Sequence, residues 1–484
     1  MTRIARRDFL RAGLAGGALA AFGGVRPSHA RAPEGVSPAG RRARNVIFMV
    51  SDGMSLGTLT MAELYQKRNH GRSTHWIGLY DNPGVRRAMV DTSSASSSVT
   101  DSAAAASAWG CGQKVRNGSI NIDPAGRPRT PIMHLARAAG IATGLVTTAT
   151  ITHATPAGFA AQAEARADEA EIARQYLAAR IDVLLGGGAK FLDAARRPDR
   201  EDLFGAFATA GYRVARDRSM LLTATRSTGP LLGIFADGHL PYTLDHRAEP
   251  ELAAAVPTLA EMTRASLAHL AAQPQGFLLQ VEGARIDHAA HANDVGALIH
   301  DQLAFDEAVG EVLAFAASRD DTLVVVTTDH GNSNPAINGS GGDFASRSGS
   351  YGETHVSFDR IARFRRTNTW VLSGLDAASP EALVRDRVFE ATQIALAREE
   401  VDMLRRALRD EHREGYRVRN EPLVALGQIL ANTTSVGWAG TAHTADYAEL
   451  AAFGPGSEDI RGFMQNTALF GVMTRALGLA VPAV

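Results

Sequence analysis

The chain of 484 residues contains a single cysteine, Cys111, and only three lysines, Lys67, Lys114 and Lys190, among its 50 basic residues. One thiol excludes an intramolecular disulfide framework and any zinc site built on several cysteines. A metal held by this chain must therefore be held by oxygen and imidazole. The formal net charge is −1, so there is no basic excess of the kind that binds nucleic acid. The shortage of lysine in an arginine- and alanine-rich chain reads as coding bias rather than as an arginine-specific function. What is present is a globular composition, 45% hydrophobic and 21% charged, which excludes a disordered chain. The length suits two to four domains or one large α/β domain with insertions.

The N-terminus reads Arg6-Arg7-Asp8-Phe9-Leu10, then an Ala/Gly-rich apolar run from Ala12 to Val25, then Ser28-His29-Ala30. A basic start, an apolar middle and a small-x-small exit describe a secretory signal over residues 1–30. The paired arginines point to the twin-arginine route; an ordinary N-terminal helix is the alternative. The run is too short and glycine-rich for a permanent membrane anchor, and no cysteine ends it for lipid attachment. Export of this kind predicts a periplasmic or secreted protein, with the twin-arginine translocase as its partner in transit. Removing residues 1–30 takes away five arginines and one aspartate and leaves a net charge of −5. Residues 31–44, rich in Pro, Gly and Arg, read as a linker.

From Asn45 the chain alternates short apolar runs with helical patterns. Asn45–Val50, Ile141–Thr148, Ile181–Leu185, Phe277–Val281, Thr322–Thr327 and Thr369–Leu372 read as buried strands. Asp168–Ala179, Pro257–Ala272 and Asp294–Ala317 read as helices. That alternation predicts an α/β fold, a three-layer sandwich with a large, mostly parallel central sheet flanked by helices. Chemistry in such sheets gathers at the C-terminal strand ends. Asp52, Thr147, Thr148, Glu282, Asp329 and His330 all stand there. Residues 331–430 differ: a Gly/Ser-rich start is followed by a highly charged helical pattern from Pro380 to about Arg417. They read as an insertion on a core of 45–330 and 431–484, serving as a lid, a crown or a subunit contact.

Five short segments carry candidate chemistry. In Glu282–His291, Asp287 and His291 are four apart and share a helix face, a spacing that suits one zinc; a polar helix start with solvent-facing histidines is the plain alternative. Thr327-Thr328-Asp329-His330-Gly331 follows a VVV strand, where adjacent residues can both reach a metal; alone it is a turn with a surface histidine. Val99–Ala108 turns from polar residues to alanines, a helix start at which Ser102 is either a cap or a nucleophile facing exposed N–H groups. No Gly-x-Ser-x-Gly elbow surrounds it, so an ordinary esterase is disfavoured and another means of activating the hydroxyl is needed. Thr152–Ala157 with Arg166, and Thr441–Thr444, complete the set.

Taken in order, VSDGM, TDSAAAASA, THATPA, QVEGARIDHAAH, TTDHGN and TAHTA resemble the alkaline phosphatase family over roughly residues 45–330 and 432–475. The resemblance implies hydrolysis of phosphate monoesters to an alcohol and inorganic phosphate through a phosphoserine on Ser102. It implies two Zn²⁺, one on Asp287, His291 and His443 and one on Asp52, Asp329 and His330. It also implies a Mg²⁺ on Asp52, Thr155 and Glu282. Arg166, thirteen residues after His153, would grip phosphate and Asp101 would orient the nucleophile. His153 and His288 would surround the magnesium and phosphate; the best-known bacterial member has Asp and Lys there, whereas animal members have His at both. Family members are commonly homodimers, which implies one here. Glu282, Thr155 and Arg166 favour a monoesterase over a phosphodiesterase or sulfatase of the same superfamily. A non-catalytic exported phosphate-binding protein is the remaining reading, and it would be expected to lack a ligand or the nucleophile; neither is missing.

Overall fold

The computed structural model describes residues 42–224, 229–339 and 354–482. The signal over 1–30, most of the linker, and most of the Gly/Ser-rich stretch lie outside the described residues. Eight strands appear before residue 330: β1 (Asn45–Ser51), β2 (Arg86–Asp91), β3 (Ala142–Thr150), β4 (Val183–Gly187), β5 (Arg213–Ala215), β6 (Leu231–Ile234), β7 (Phe277–Gly283) and β8 (Thr322–Thr327). Two later strands, Ala448–Phe453 and Phe463–Gln465, join them in one ten-stranded sheet. Its order is Phe463–Gln465, β2, Ala448–Phe453, β8, β1, β7, β3, β4, β6, β5. All pairings are parallel except those of Ala448–Phe453, which runs antiparallel between β2 and β8.

The central strands are apolar throughout because both faces are covered. Ile47 and Met49 of β1 enter one core with Leu279, Val281, Val324 and Val326. Val46, Phe48 and Val50 enter the other with Leu145, Leu278, Leu323 and Val325. Helices Leu56–His70, Leu259–Leu270 and Val295–Ala316 cover the first face. Helices Ser102–Cys111, Ile132–Ala138, Ala154–Ala160 and Ala468–Leu477 cover the second. The expected three-layer α/β sandwich is what forms.

Two expectations change. Thr369–Leu372 is not a strand but lies within the helix Asn368–Ser373. A short apolar run is compatible with either period, and here Thr367 decides it: its Oγ1 caps the helix by accepting from the Trp370 N–H at 3.0 Å. The charged pattern from Pro380 is two helices, Glu381–Thr392 and Arg398–Leu408, and Gln393 between them turns left-handed with φ 58°. Strands β2, β5, β6 and the two C-terminal ones are absent from the sequence reading. They are short or lie toward the sheet edges, where alternation replaces a continuous apolar run.

Candidate active site

Parallel register gathers the strand-end residues. Val50 of β1 pairs with Glu282 of β7 on one side and with Thr327 of β8 on the other. Two residues further along, Asp52 and Asp329 leave their strands side by side. Gly53 then turns with φ +68°, and a side chain there would strike Asp287. The Gly53 N–H donates to Asp329 Oδ1 at 2.9 Å and fixes that carboxylate.

Three sets of potential ligands converge at this edge, each with its atoms within 4.8 Å of one another: Asp287, His291 and His443; Asp52, Asp329 and His330; and Asp52, Glu282 and His153. The first stands on helix Arg285–His291 and on the two-residue ribbon His443–Thr444, which pairs with Gly331–Asn332. Asp287 and His291 do share one helical turn. His291 Nδ1 lies 2.6 Å from the Thr441 carbonyl oxygen and His443 Nδ1 2.9 Å from that of Thr100. Each carbonyl requires the proton on Nδ1, so both Nε2 lone pairs point at one another across 3.1 Å. Two lone pairs at that distance repel unless a cation lies between them, and such carbonyl-anchored imidazoles are the usual orientation of metal-binding histidines.

The carboxylates make the same demand. Neither oxygen of the fully buried Asp52 has a hydrogen-bond partner, nor has Glu282 Oε1 or Thr155 Oγ1, while Asp329 Oδ2 lies 3.0 Å from His330 Nε2. Burial pushes the Asp52 carboxyl well up, helped by Asp329, Asp287 and Glu282. Burial raises Glu282 to about 7. Asp287 is opposed by burial but held well down by His291 and its neighbouring imidazoles. Buried carboxylates in such number persist as anions only when paired or bound to metal. Hard oxygens with imidazole form a donor set that fits divalent cations. Glu282 Oε2 is itself held by the Thr147 hydroxyl at 2.5 Å.

Ser102 opens helix Ser102–Cys111, 2% exposed, with Oγ 3.3 Å from His330 Nε2. Asp101 caps that helix by accepting from the Ala104 N–H, and its other oxygen accepts from Arg166 Nη1 at 3.0 Å. Arg166 Nη2 lies 3.1 Å from His153 Nε2, so the guanidinium is clamped between Asp101 and His153. Burial, and then Arg166, hold His153 well below the usual histidine range. It stands within the Asp52–Glu282 set itself, nearer than a surrounding residue. Thr155 stands in the first turn of helix Ala154–Ala160.

His288 is not in any of the three ligand sets; its Nδ1 is 2.8 Å from Arg285 Nη1, and burial takes it down to about 3. It packs instead on His239, at 4.6 Å between ring centres. His239, whose Nδ1 accepts from the Thr150 N–H, has no motif around it and was not foreseen. Nor was Asn332, whose Nδ2 donates to Asp287 Oδ1 at 2.6 Å. Its place directly after Asp329-His330-Gly331 was the available signal.

Comparison with known proteins agrees with this geometry. The sequence model of the alkaline phosphatase family matches residues 43–479. Alkaline phosphatase 4 of Bacillus subtilis is 30% identical over 88% of this chain and 86% of its own length. Alkaline phosphatase 3 of the same organism is 31% identical, over 90% and 89%. The crystal structure of Thermus thermophilus alkaline phosphatase superposes with a TM-score of 0.84 at 36% identity, covering 94% of this chain and 96% of that one.

Proposed function

This chain belongs to the alkaline phosphatase family and is a phosphomonoesterase, and from that premise we propose that Ser102 is its nucleophile within a two-zinc, one-magnesium centre. Asp287, His291 and His443 hold one zinc, and Asp52, Asp329 and His330 the other. Asp52, Glu282 and Thr155 hold magnesium, with His153 beside them. When bound, the cations supply the Lewis-acid charge that acidifies the serine hydroxyl and water and offsets the charge of the departing alkoxide.

The chain's own groups do the rest. Asp101 fixes the start of the serine helix and points Arg166. The Arg166 fork then grips two phosphate oxygens. Ser102 loses its proton to solvent and its Oγ attacks phosphorus; the P–O ester bond breaks, and the departing oxygen takes a proton from water and leaves as the alcohol. Water hydrolyses the phosphoserine to inorganic phosphate. The backbone N–H groups at the start of the Ser102 helix favour the charge that gathers there. The 3.3 Å approach of Ser102 Oγ to His330 Nε2, beside buried carboxylates that lack partners, supports this reading most strongly.

The test is turnover of 4-nitrophenyl phosphate against its bis-ester, with phosphoenzyme trapping. Native protein is expected to favour the monoester and to lose activity to a chelator. Ser102→Ala is expected to lose trapping and at least about 10⁴-fold in rate while keeping its zinc. A faster diester rate, or a phosphoenzyme on the variant, overturns it. We further infer twin-arginine export to the periplasm or medium and assembly as a homodimer, with 331–430 an insertion on the core. Among the described residues no helix is long and apolar enough to cross a membrane.

A further inference from the structure

Ser333, one residue beyond Asn332, is fully buried and stands in the left-handed region with φ 55°. A residue with a side chain is uncommon there, and such strain persists where the surroundings hold it in place. Its main chain is bonded to the segment that leads to His443. The Ser333 N–H donates to the Ala442 carbonyl, and the Ser333 carbonyl accepts from the Ala439 N–H, both at 2.9 Å. Its side chain reaches the helix that carries Asp287 and His291. Oγ lies 2.8 Å from the Ala290 carbonyl oxygen and 2.6 Å from Asn332 Oδ1.

A hydroxyl has one proton, and here two acceptors compete for it. The Ala290 oxygen already accepts from the Asn293 N–H at 3.0 Å and from Asn293 Nδ2 at 3.1 Å, which uses its two lone pairs. Asn332 Oδ1 lies closer and, among the described residues, has no other donor. The proton therefore goes to Asn332. Asn332 Nδ2 donates in turn to Asp287 Oδ1 at 2.6 Å. Ser55 Oγ pins the Asn332 main chain, accepting from its N–H and donating to its carbonyl, each at 3.0 Å. That leaves the rotation of the Asn332 amide to be fixed at its oxygen, and Ser333 fixes it.

We propose that Ser333 is a positioning residue for the zinc site of Asp287, His291 and His443: its hydroxyl orients the Asn332 amide, and the amide holds the Asp287 carboxylate against the two imidazoles. Asp287 Oδ2 lies 3.3 Å from His291 Nε2 and its Oδ1 3.5 Å from His443 Nε2. The left-handed backbone has a use in this arrangement. It lets one residue bond to the His443 segment through its main chain while its side chain serves Asp287. This rests on the reading of those three residues as a metal site, and the experiment separates the two.

Zinc affinity is measured on metal-stripped protein by competition with a chromogenic chelator. The proteins are native, Ser333→Gly, Asn332→Ala and the double variant. Glycine tolerates the left-handed backbone and deletes the hydroxyl. Ser333→Gly is expected to weaken one zinc of the two by about threefold to tenfold, at or just under the usual cost of losing outer support for a ligand, and to leave the other unchanged. On the Asn332→Ala background the same change is expected to cost less than about twofold, because the hydroxyl then has no amide to orient. Cobalt in place of zinc gives a visible spectrum that follows coordination geometry. It is expected to shift in Ser333→Gly and to be alike in Asn332→Ala and the double variant. Losses that multiply across the two substitutions, or an affinity and spectrum unchanged in Ser333→Gly, overturn the proposal. Native protein that binds no zinc overturns the metal reading and this proposal with it. Ser333→Ala, which keeps the Cβ, carries the same test if glycine disturbs folding.

Discussion

The two ligand sets proposed to hold zinc stand at different depths. The side chains of Asp52, Asp329 and His330 are 0% exposed. In the other set Asp287 is 8% exposed, His443 16% and His291 40%. The deep set hangs on the ends of β1 and β8, whose register is held by the whole sheet. The open set hangs on one helical turn and a two-residue ribbon. Ser102 stands on the deep side, against His330. A group entering or leaving must cross the open side, where His291 meets solvent. On the proposed mechanism, depth would divide the labour: a buried place for the nucleophile and an accessible one for the leaving alcohol and for water.

The largest expected effect separates the sets by metal content. Asp52 belongs to two of the three sets, so Asp52→Asn is expected to lose two metal ions per chain. His291→Gln is expected to lose one, and a chelator to strip that open set first. Elemental analysis of each purified protein checks this; equal losses would erase the distinction of depth. Next is Arg166→Ala, which leaves both sets intact. It is expected to raise the inhibition constant of inorganic phosphate by about 10- to 100-fold, the value of a charge-assisted bidentate contact, with metal content unchanged.

Asn332→Ala removes only the amide that holds Asp287. Such outer support is worth about tenfold in metal affinity, and competition with a chromogenic chelator should show the loss in the open set alone. The smallest effect lies outside both sets. Asp301, buried on helix Val295–Ala316, accepts from the Thr243 N–H and hydroxyl, and burial raises it to about 7. A raised acid favours folding while protonated, so its contribution is full below about pH 4 and is lost as pH rises through 7. Asp301→Asn is therefore expected to stabilise metal-stripped protein at pH 8 by at least about 1 kcal/mol and to leave it unchanged at pH 4. Thermal melts at both pH values decide it.

What could be read beforehand follows from how local each signal is. The five central strands are continuous apolar runs because both faces are covered, and that pattern survives in one dimension. Thr369–Leu372 misled because four apolar-rich residues fit either period, and a cap bonded to Trp370 chose the helix. Asp287 and His291 were legible as a pair because four residues make a helical turn. His239 was not, because a lone residue brought in by a distant loop leaves no periodic trace, and Asn332 stood beside a motif that did not say which group its amide would reach.

Residue types and their order along the chain determined the α/β class, the oxygen-and-imidazole donor set and the serine at a helix start, because these depend on near neighbours. Tertiary structure alone decided that His153 stands among the carboxylates of Asp52 and Glu282. It also decided that one ligand set is buried and the other open. Those relations join segments more than a hundred residues apart. Sheet register and helix packing set them, and no local pattern encodes either.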